Sequence, residues 1–346
     1  MYASQTLNYL YFLIFTFTPL NLNSVHSDKM FTKRVKIFVA GSKGMVGSAI
    51  LRELQNKNYE NILTVAKSEV NLTDQPAVNR FLQENKPEAV ILAAAKVGGI
   101  NANMKAPAQF LYENLMIQNN VIHSSYLAGV KKFVFPGSSC IYPRECPQPM
   151  KEEYLLTGKL EPTNEGYAIA KIAGIKMMEY YHRQYGFKSI SLMPCNLYGP
   201  NDSFDLQHSH VLSALVKRFT DAADENKNEI TLWGSGIAKR EFMHVDDLAR
   251  ITVYMMEHHE DTNFINIGWG EDISIKELAE MIASKTNFKG KINWDTSKPD
   301  GMLRKCMDVS KMKALGIQPE ITLEKGVEQM ISIYKKIKSQ PQTINP

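Results

Sequence analysis

Three glycines, Gly41, Gly44 and Gly47, sit between a short β-branched run at 35–40 and a helix-like stretch at 45–55. That placement constrains the fold more than any other feature. At a strand–turn–helix junction the first glycine permits a tight turn. The second lets the backbone approach a pyrophosphate, and the third lets helix pack closely on strand. The free N–H groups of the helix's first turn then suit phosphate oxygens. Without that context, such glycines would simply form a turn. Gly41, Ser42, Lys43, Gly44, Met45, Val46 and Gly47 are therefore candidate nucleotide contacts, with Gly-x-x-Gly-x-x-Gly spacing.

The rest of the chain keeps a compatible rhythm. Apolar runs at 61–65, 89–94, 132–135 and 189–193 read as strands, and 75–84, 110–128 and 166–185 read as helices. Alternating strands and helices imply an α/β fold, a doubly wound parallel Rossmann sheet covered on both faces. Residues 33–195 are expected to form this nucleotide-binding domain, with later returns near 241–267. Beyond Pro194 the rhythm loosens, and 196–335 reads mainly as a smaller substrate-binding lobe. It includes a helix at 211–223, extended runs at 230–233, 241–245 and 264–267, and a helix capped by Ser274. Residues 336–346 read as a tail.

Composition narrows the function. The chain has 346 residues, 44% of them hydrophobic, enough for a large core, and its net charge of +4 comes without a basic run. Nucleic-acid binding gets little support from that balance. Cys140, Cys146, Cys195 and Cys306 are scattered and form no Cys-x-x-Cys pair, which argues against a metal site or a disulfide scaffold and for a reducing, cytoplasmic setting. The apolar run at 9–20 has no Lys or Arg before Lys29 and is short for a bilayer span. It leaves two readings, a non-native extension over 1–30 or a weak signal or anchor, and the first is preferred. No membrane is required.

The second strand ends in Lys67 and Ser68 rather than in an acid for a ribose hydroxyl. Lys67 can meet a 2′-phosphate, so NADP(H) is favoured, although Glu69 follows closely. Ala94 and Ala95 let a cofactor pass near small side chains. Tyr167 and Lys171 stand four apart on one helix face. A nearby ammonium is expected to lower the phenol's pKa from about 10. Alone, the pair reads as a helix-surface pair. Ser138 and Ser139 follow the fourth strand at the edge where such sheets place their sites, and a hydroxyl there can bond a carbonyl oxygen as it gains charge. Their plain alternative is a turn.

Taken together, glycine turn, serine and Tyr-x-x-x-Lys resemble the extended short-chain dehydrogenase/reductase family. The resemblance extends through Ala93-Ala-Ala-Lys-Val-Gly-Gly-Ile100, Gly137-Ser-Ser-Cys-Ile-Tyr-Pro143, Glu161-Pro-Thr-Asn-Glu165, Asn196-Leu-Tyr-Gly-Pro200, Trp233-Gly-Ser-Gly236 and Arg240-Glu-Phe-Met-His-Val-Asp-Asp247. It covers about 35–333 and is closest to the family's GDP-sugar epimerase-reductases. It implies a 4-keto sugar nucleotide epimerised at C3 and C5, then reduced at C4 by NADPH. In that scheme Cys140 is the base and His210 the acid. Tyr167, Lys171 and Ser138 serve at the ketone, with Ser139 a second candidate. The resemblance further implies cofactor contacts from Pro136, Ser139, Lys171, Pro194, Asn196, Leu197 and His210, and GDP-sugar contacts from Arg218, Trp233, Arg240 and Asp300. It implies a homodimer joined through the helices at 110–128 and 166–185.

Three departures stand out: Gly166 before the catalytic tyrosine, and Lys43 and Lys67 where relatives often carry Arg. Gly166 is expected to loosen the helix start. Trp233 reads equally well as a core residue, and residues 244–247 as a capped helix start. A simple 4-epimerase or a dehydratase is the competing enzyme reading, and a non-catalytic NADP-binding protein the competing non-enzyme one.

Overall fold

The computed structural model describes residues 31–206, 209–259, 264–298 and 300–340. The run at 9–20 and the tail beyond Gln340 lie outside them. The first half runs β1 (Lys36–Ala40), α1 (Met45–Asn56), β2 (Asn61–Leu63), α2 (Gln75–Asn85), β3 (Ala89–Leu92), α3 (Ile100–Lys105), α4 (Pro107–Leu127), β4 (Lys132–Pro136), α5 (Glu165–Tyr185) and β5 (Ser189–Pro194). The second half runs β6 (Asn196–Tyr198), α6 (Val211–Asp224), β7 (Glu229–Trp233), β8 (Lys239–Arg240), β9 (Phe242–His244), α7 (Val245–His258), β10 (Ile265–Ile267), β11 (Ile273–Ser274), α8 (Ile275–Thr286), β12 (Lys291–Asp295), β13 (Arg304–Lys305), α9 (Ser310–Ala314) and α10 (Leu323–Ser339).

The main sheet has six parallel strands in the order β10-β5-β4-β3-β1-β2. Every residue of β3, β4 and β5 is buried, as a parallel strand covered on both faces requires. The chain goes from β1 outward to β2, then returns to add β3 on β1's other side. The crevice at that reversal is where such folds hold ligands, and the glycine-rich turn opens into it. Local chemistry fixes the elements. Asp74 accepts from the Ala77 N–H to start α2, and α5 stops at Gly186, whose φ of 66° suits glycine. Ser274 and Glu277 form a reciprocal capping box at α8.

A second core gathers Leu215, Phe219, Ile282, Val327 and Met330 from α6, α8 and α10. The parallel pair β6–β9 links the two cores, and α7 returns to pack on α1. Among the described residues, no helix is long and apolar enough to cross a membrane.

The sequence reading differs from the structure in a few places. The extended run expected at 241–245 is pairing only over Phe242–His244, because His244 accepts from the Asp246 N–H and starts α7 at Val245. Helix α10 was not anticipated, and it takes in residues 336–339 of the stretch read as a tail. Gly166 also has a packing role: a Cβ there would lie 2.9 Å from the Pro107 carbonyl oxygen, so glycine is what lets α5 approach the start of α4.

Candidate active site

The cofactor candidates line the carboxyl edge of the sheet in strand order. After β1, a Cβ on Gly41 would stand 2.6 Å from the Ala94 nitrogen, and one on Gly47 would stand 2.1 Å from the Gly41 oxygen. Only bare backbone fits this cradle. Gly44 is the N-cap of α1 and offers no side-chain cap, so the first-turn N–H groups stay open to an anion. After β2, Lys67 and Ser68 are exposed, while the Glu69 carboxylate turns back to accept from the Ala66 N–H at 2.7 Å. That bond keeps Glu69 on its own turn and leaves Lys67 the forward charge. The residues therefore fit a dinucleotide with an added phosphate. Pro136, Ser139, Pro194 and Leu197 lie at the ends of β4 and β5 and in β6. Asn196 donates its amide to the Glu241 carbonyl at 2.8 Å, which anchors β6 to the next strand.

Four predicted catalytic side chains come together beside this edge. Lys171 is 5% exposed and donates to the Pro136 carbonyl at 2.9 Å. Its Nζ lies 5.8 Å from the Tyr167 ring centre. Burial brings its pKa down to about 8. The Tyr167 phenol is pushed up, first by burial and then by Cys140, with a hydrogen bond from Ser138 working the other way. The expected lowering of the tyrosine by Lys171 is thus not what the geometry produces. The ammonium turns to Pro136, and burial dominates at the phenol. Tyr167 is a held proton, suited to donate. Although its side chain keeps some accessible surface, the phenol's surroundings are dense enough to disfavour charge. Ser138 bonds Tyr167 and also accepts from the Cys140 N–H at 3.2 Å, whereas Ser139 is buried in the turn.

Cys140 has two partners that sequence reasoning missed. Asn164 Nδ2 donates to its sulfur at 3.2 Å, and Lys305 Nζ stands at 3.6 Å. Asn164 lies within the family-like run 161–165, which gave no sign of a contact with Cys140. Lys305 carried no local signal, since it comes from β13, far along the chain. Cys195 and Cys306 are buried, as small core residues, and burial pushes both thiols up.

His210 is the exposed N-cap of α6, and among the described residues no hydrogen bond joins it to Ser138, Cys140, Tyr167 or Lys171. Asp202 lies within electrostatic reach of it and accepts from the Ser213 hydroxyl in α6's first turn.

The substrate candidates gather in the smaller lobe. Trp233 ends β7 and is 59% exposed, so it is not a core residue; Lys298 Nζ lies 5.8 Å from its ring centre. Arg240 donates to the Met302 carbonyl at 2.6 Å, and burial lowers its pKa, with Asp300 and Glu161 opposing. Asp300 commits its carboxylate to the Ser235 N–H and hydroxyl, at 2.7 and 2.8 Å, and so shapes the turn after Trp233. Arg218 reaches the Thr231 carbonyl at 3.2 Å. Among the described residues, no cluster of His, Cys, Asp and Glu could hold a metal.

The model of the NAD dependent epimerase/dehydratase family matches residues 37–268 of this chain. The chain belongs to that family. Within the epimerase/dehydratase family, it is 53% identical over 305 residues to putative GDP-L-fucose synthase 2 of Arabidopsis thaliana, covering 88% of this chain and 93% of the relative. It is 48% identical over 301 residues to GDP-L-fucose synthase of Escherichia coli K12, covering 84% and 94%. Its fold is similar to that of a GDP-L-fucose synthetase from Naegleria fowleri bound to NADP, with a TM-score of 0.82, 26% identity, and 90% and 98% of the two chains covered.

Proposed function

We propose that this chain is an NADPH-dependent enzyme that epimerises GDP-4-keto-6-deoxy-D-mannose at C3 and C5 and reduces C4, yielding GDP-L-fucose. One observation carries the reading. A cysteine sulfur with two donors stands beside a Ser-Tyr-Lys group at the carboxyl edge of a dinucleotide fold. Curated relatives of that name span nearly their whole length in the match.

The C4 ketone acidifies the hydrogens on C3 and C5. Cys140 takes one of these protons, and the C–H electron pair passes into an enolate. Ser138 and Tyr167 hydrogen-bond the enolate oxygen as it gains charge. His210 supplies a proton to the opposite face, which inverts the centre. Its side chain is exposed at the start of α6, open to a bound sugar. When bound, NADPH supplies the hydride that reduces C4. Tyr167 gives its proton to O4, a role that fits a phenol held protonated by burial. Lys171 orients the cofactor ribose. Arg240 and Arg218 hold the diphosphate, and Trp233 offers a flat face to the GDP end.

Helices α4 and α5 leave Tyr112, Leu127, Ile169, Tyr180 and Tyr185 exposed. These suit a homodimer face, which light scattering at micromolar concentration would reveal as twice the chain mass. A cytoplasmic setting fits the four unpaired cysteines.

The test is NADPH oxidation with GDP-4-keto-6-deoxy-D-mannose, with product identification, for wild type, Cys140→Ser and His210→Asn. GDP-L-fucose from wild type alone is expected. An unepimerised 6-deoxy sugar from wild type would make this a plain 4-reductase. No oxidation despite NADPH binding would point to another sugar nucleotide.

A further inference from the structure

Asn164 is the N-cap of α5, and Asn is among the best residues for satisfying a helix start. Here its side chain makes no cap hydrogen bond. The preceding turn is held by Glu161 instead, whose carboxylate accepts from the Thr163 N–H at 3.3 Å and its hydroxyl at 3.0 Å. Asn164 turns its Nδ2 to the Cys140 sulfur at 3.2 Å, and its Oδ1 is buried with no partner. A fold normally avoids such an orphan. One residue thus forgoes a cap and leaves an acceptor unpaired, while its amide N–H goes to the reacting sulfur. Local rules broken together in this way mark function more often than stability.

We propose that Asn164 is a positioning residue. It holds the Cys140 sulfur ready to take a carbon-bound proton. The proposal rests on the reading of Cys140 as a proton-transfer base. An amide N–H can donate to sulfur without bringing a charge of its own. Aspartate cannot donate, and its charge opposes a charged sulfur. Serine is too short to reach across. Lys305, at 3.6 Å, is the sulfur's second donor. It supplies charge, whereas Asn164 fixes direction.

Asn164→Asp and Asn164→Ser test this well, because both residues are good N-caps and the fold should survive. The readouts are the melting temperature, NADPH affinity, the iodoacetamide alkylation rate of Cys140 followed by peptide mass, and the share of epimerised product. We expect both variants to melt no lower than wild type and to bind NADPH equally. Alkylation should slow, and epimerised product should fall about tenfold or more. Wild type and Cys140→Ser run alongside. If Cys140→Ser still epimerises, the base assignment fails, and this proposal with it. If Cys140→Ser is inactive while the Asn164 variants alkylate and epimerise like wild type, Asn164 has no such role and Cys140 keeps its own. If activity falls only together with melting temperature and NADPH affinity, Asn164 is structural and the proposal is overturned.

Discussion

Glu257 is 2% exposed and Glu241 1%, yet they lie at opposite edges of one sheet and hold protons differently. Glu257, at the end of α7, faces the amino edge. Burial works against its charge, but Tyr59, Lys57 and Lys33 overcome that and bring its pKa down to about 2. The partners are close: Tyr59 Oη at 2.6 Å, and both lysines at 3.1 Å. Glu241 precedes β9 at the carboxyl edge, with no cation bonded to it among the described residues. Burial pushes it up to about 7, although it accepts the N–H groups of Gly270 and Met307 at 2.8 and 2.9 Å. Lys171, also at the carboxyl edge, is likewise buried without a carboxylate. The contrast teaches that burial alone does not set a charge's cost; the partners do. At the amino edge the charges are neutralised and stabilise the fold. At the carboxyl edge burial is not offset by an opposite charge, and the neutral forms are favoured.

The largest effect should come from Lys171→Met. Turnover should fall by roughly 10²-fold or more, because the cofactor ribose loses the group that orients it. The melting temperature should hold or rise, since a desolvated amine is removed from between Phe135 and Tyr167. A clear loss of stability would break the contrast between edges.

Next in size is Glu257→Ala. Removing one partner of a buried ionic cluster costs about 3 kcal/mol, at the low end because Lys33 and Lys57 keep 35% and 30% of their side-chain surface and can rehydrate. Urea unfolding measures it, and turnover per folded molecule should not change. The pH dependence follows from a folded value near 2 against about 4.3 when unfolded. The stabilisation is present above about 4.3 and is lost as pH falls towards 2.

Glu241→Gln should have the smallest effect, about 1–2 kcal/mol, because the amide end cannot accept one of the two N–H groups. Its sign with pH is opposite. With a folded value of about 7, Glu241 favours the fold while protonated, and that contribution is lost as pH rises from about 4.3 through 7. The glutamine variant should flatten this slope in unfolding measured between pH 5 and 8. An unchanged slope would mean that Glu241 does not titrate there.

The sheet was legible because its signals are local. The glycine triplet, the buried runs of β3 to β5, and the capping box at Ser274 each lie within a few residues. The site was legible in part. Ser138, Cys140, Tyr167 and Lys171 share one edge because β4 ends there and α5 begins there. Lys305 and Asn164 were not legible as partners of Cys140, because that contact forms only when β13 and the turn before α5 fold onto β4's end. The exposure of Trp233 was not legible either: an apolar residue at a strand end looks the same whether or not the next turn opens outward. The two-residue strands β8, β11 and β13 have too little pattern to read.

The most direct measurement is turnover in D₂O with NADPH and GDP-4-keto-6-deoxy-D-mannose, with carbon-bound deuterium in the product located by NMR. Deuterium at both C3 and C5 is expected, because each centre loses its proton to Cys140 and regains one from solvent-exchanged groups. NADPH oxidation that leaves both carbons undeuterated would contradict the assignment of this edge as proton-transfer machinery.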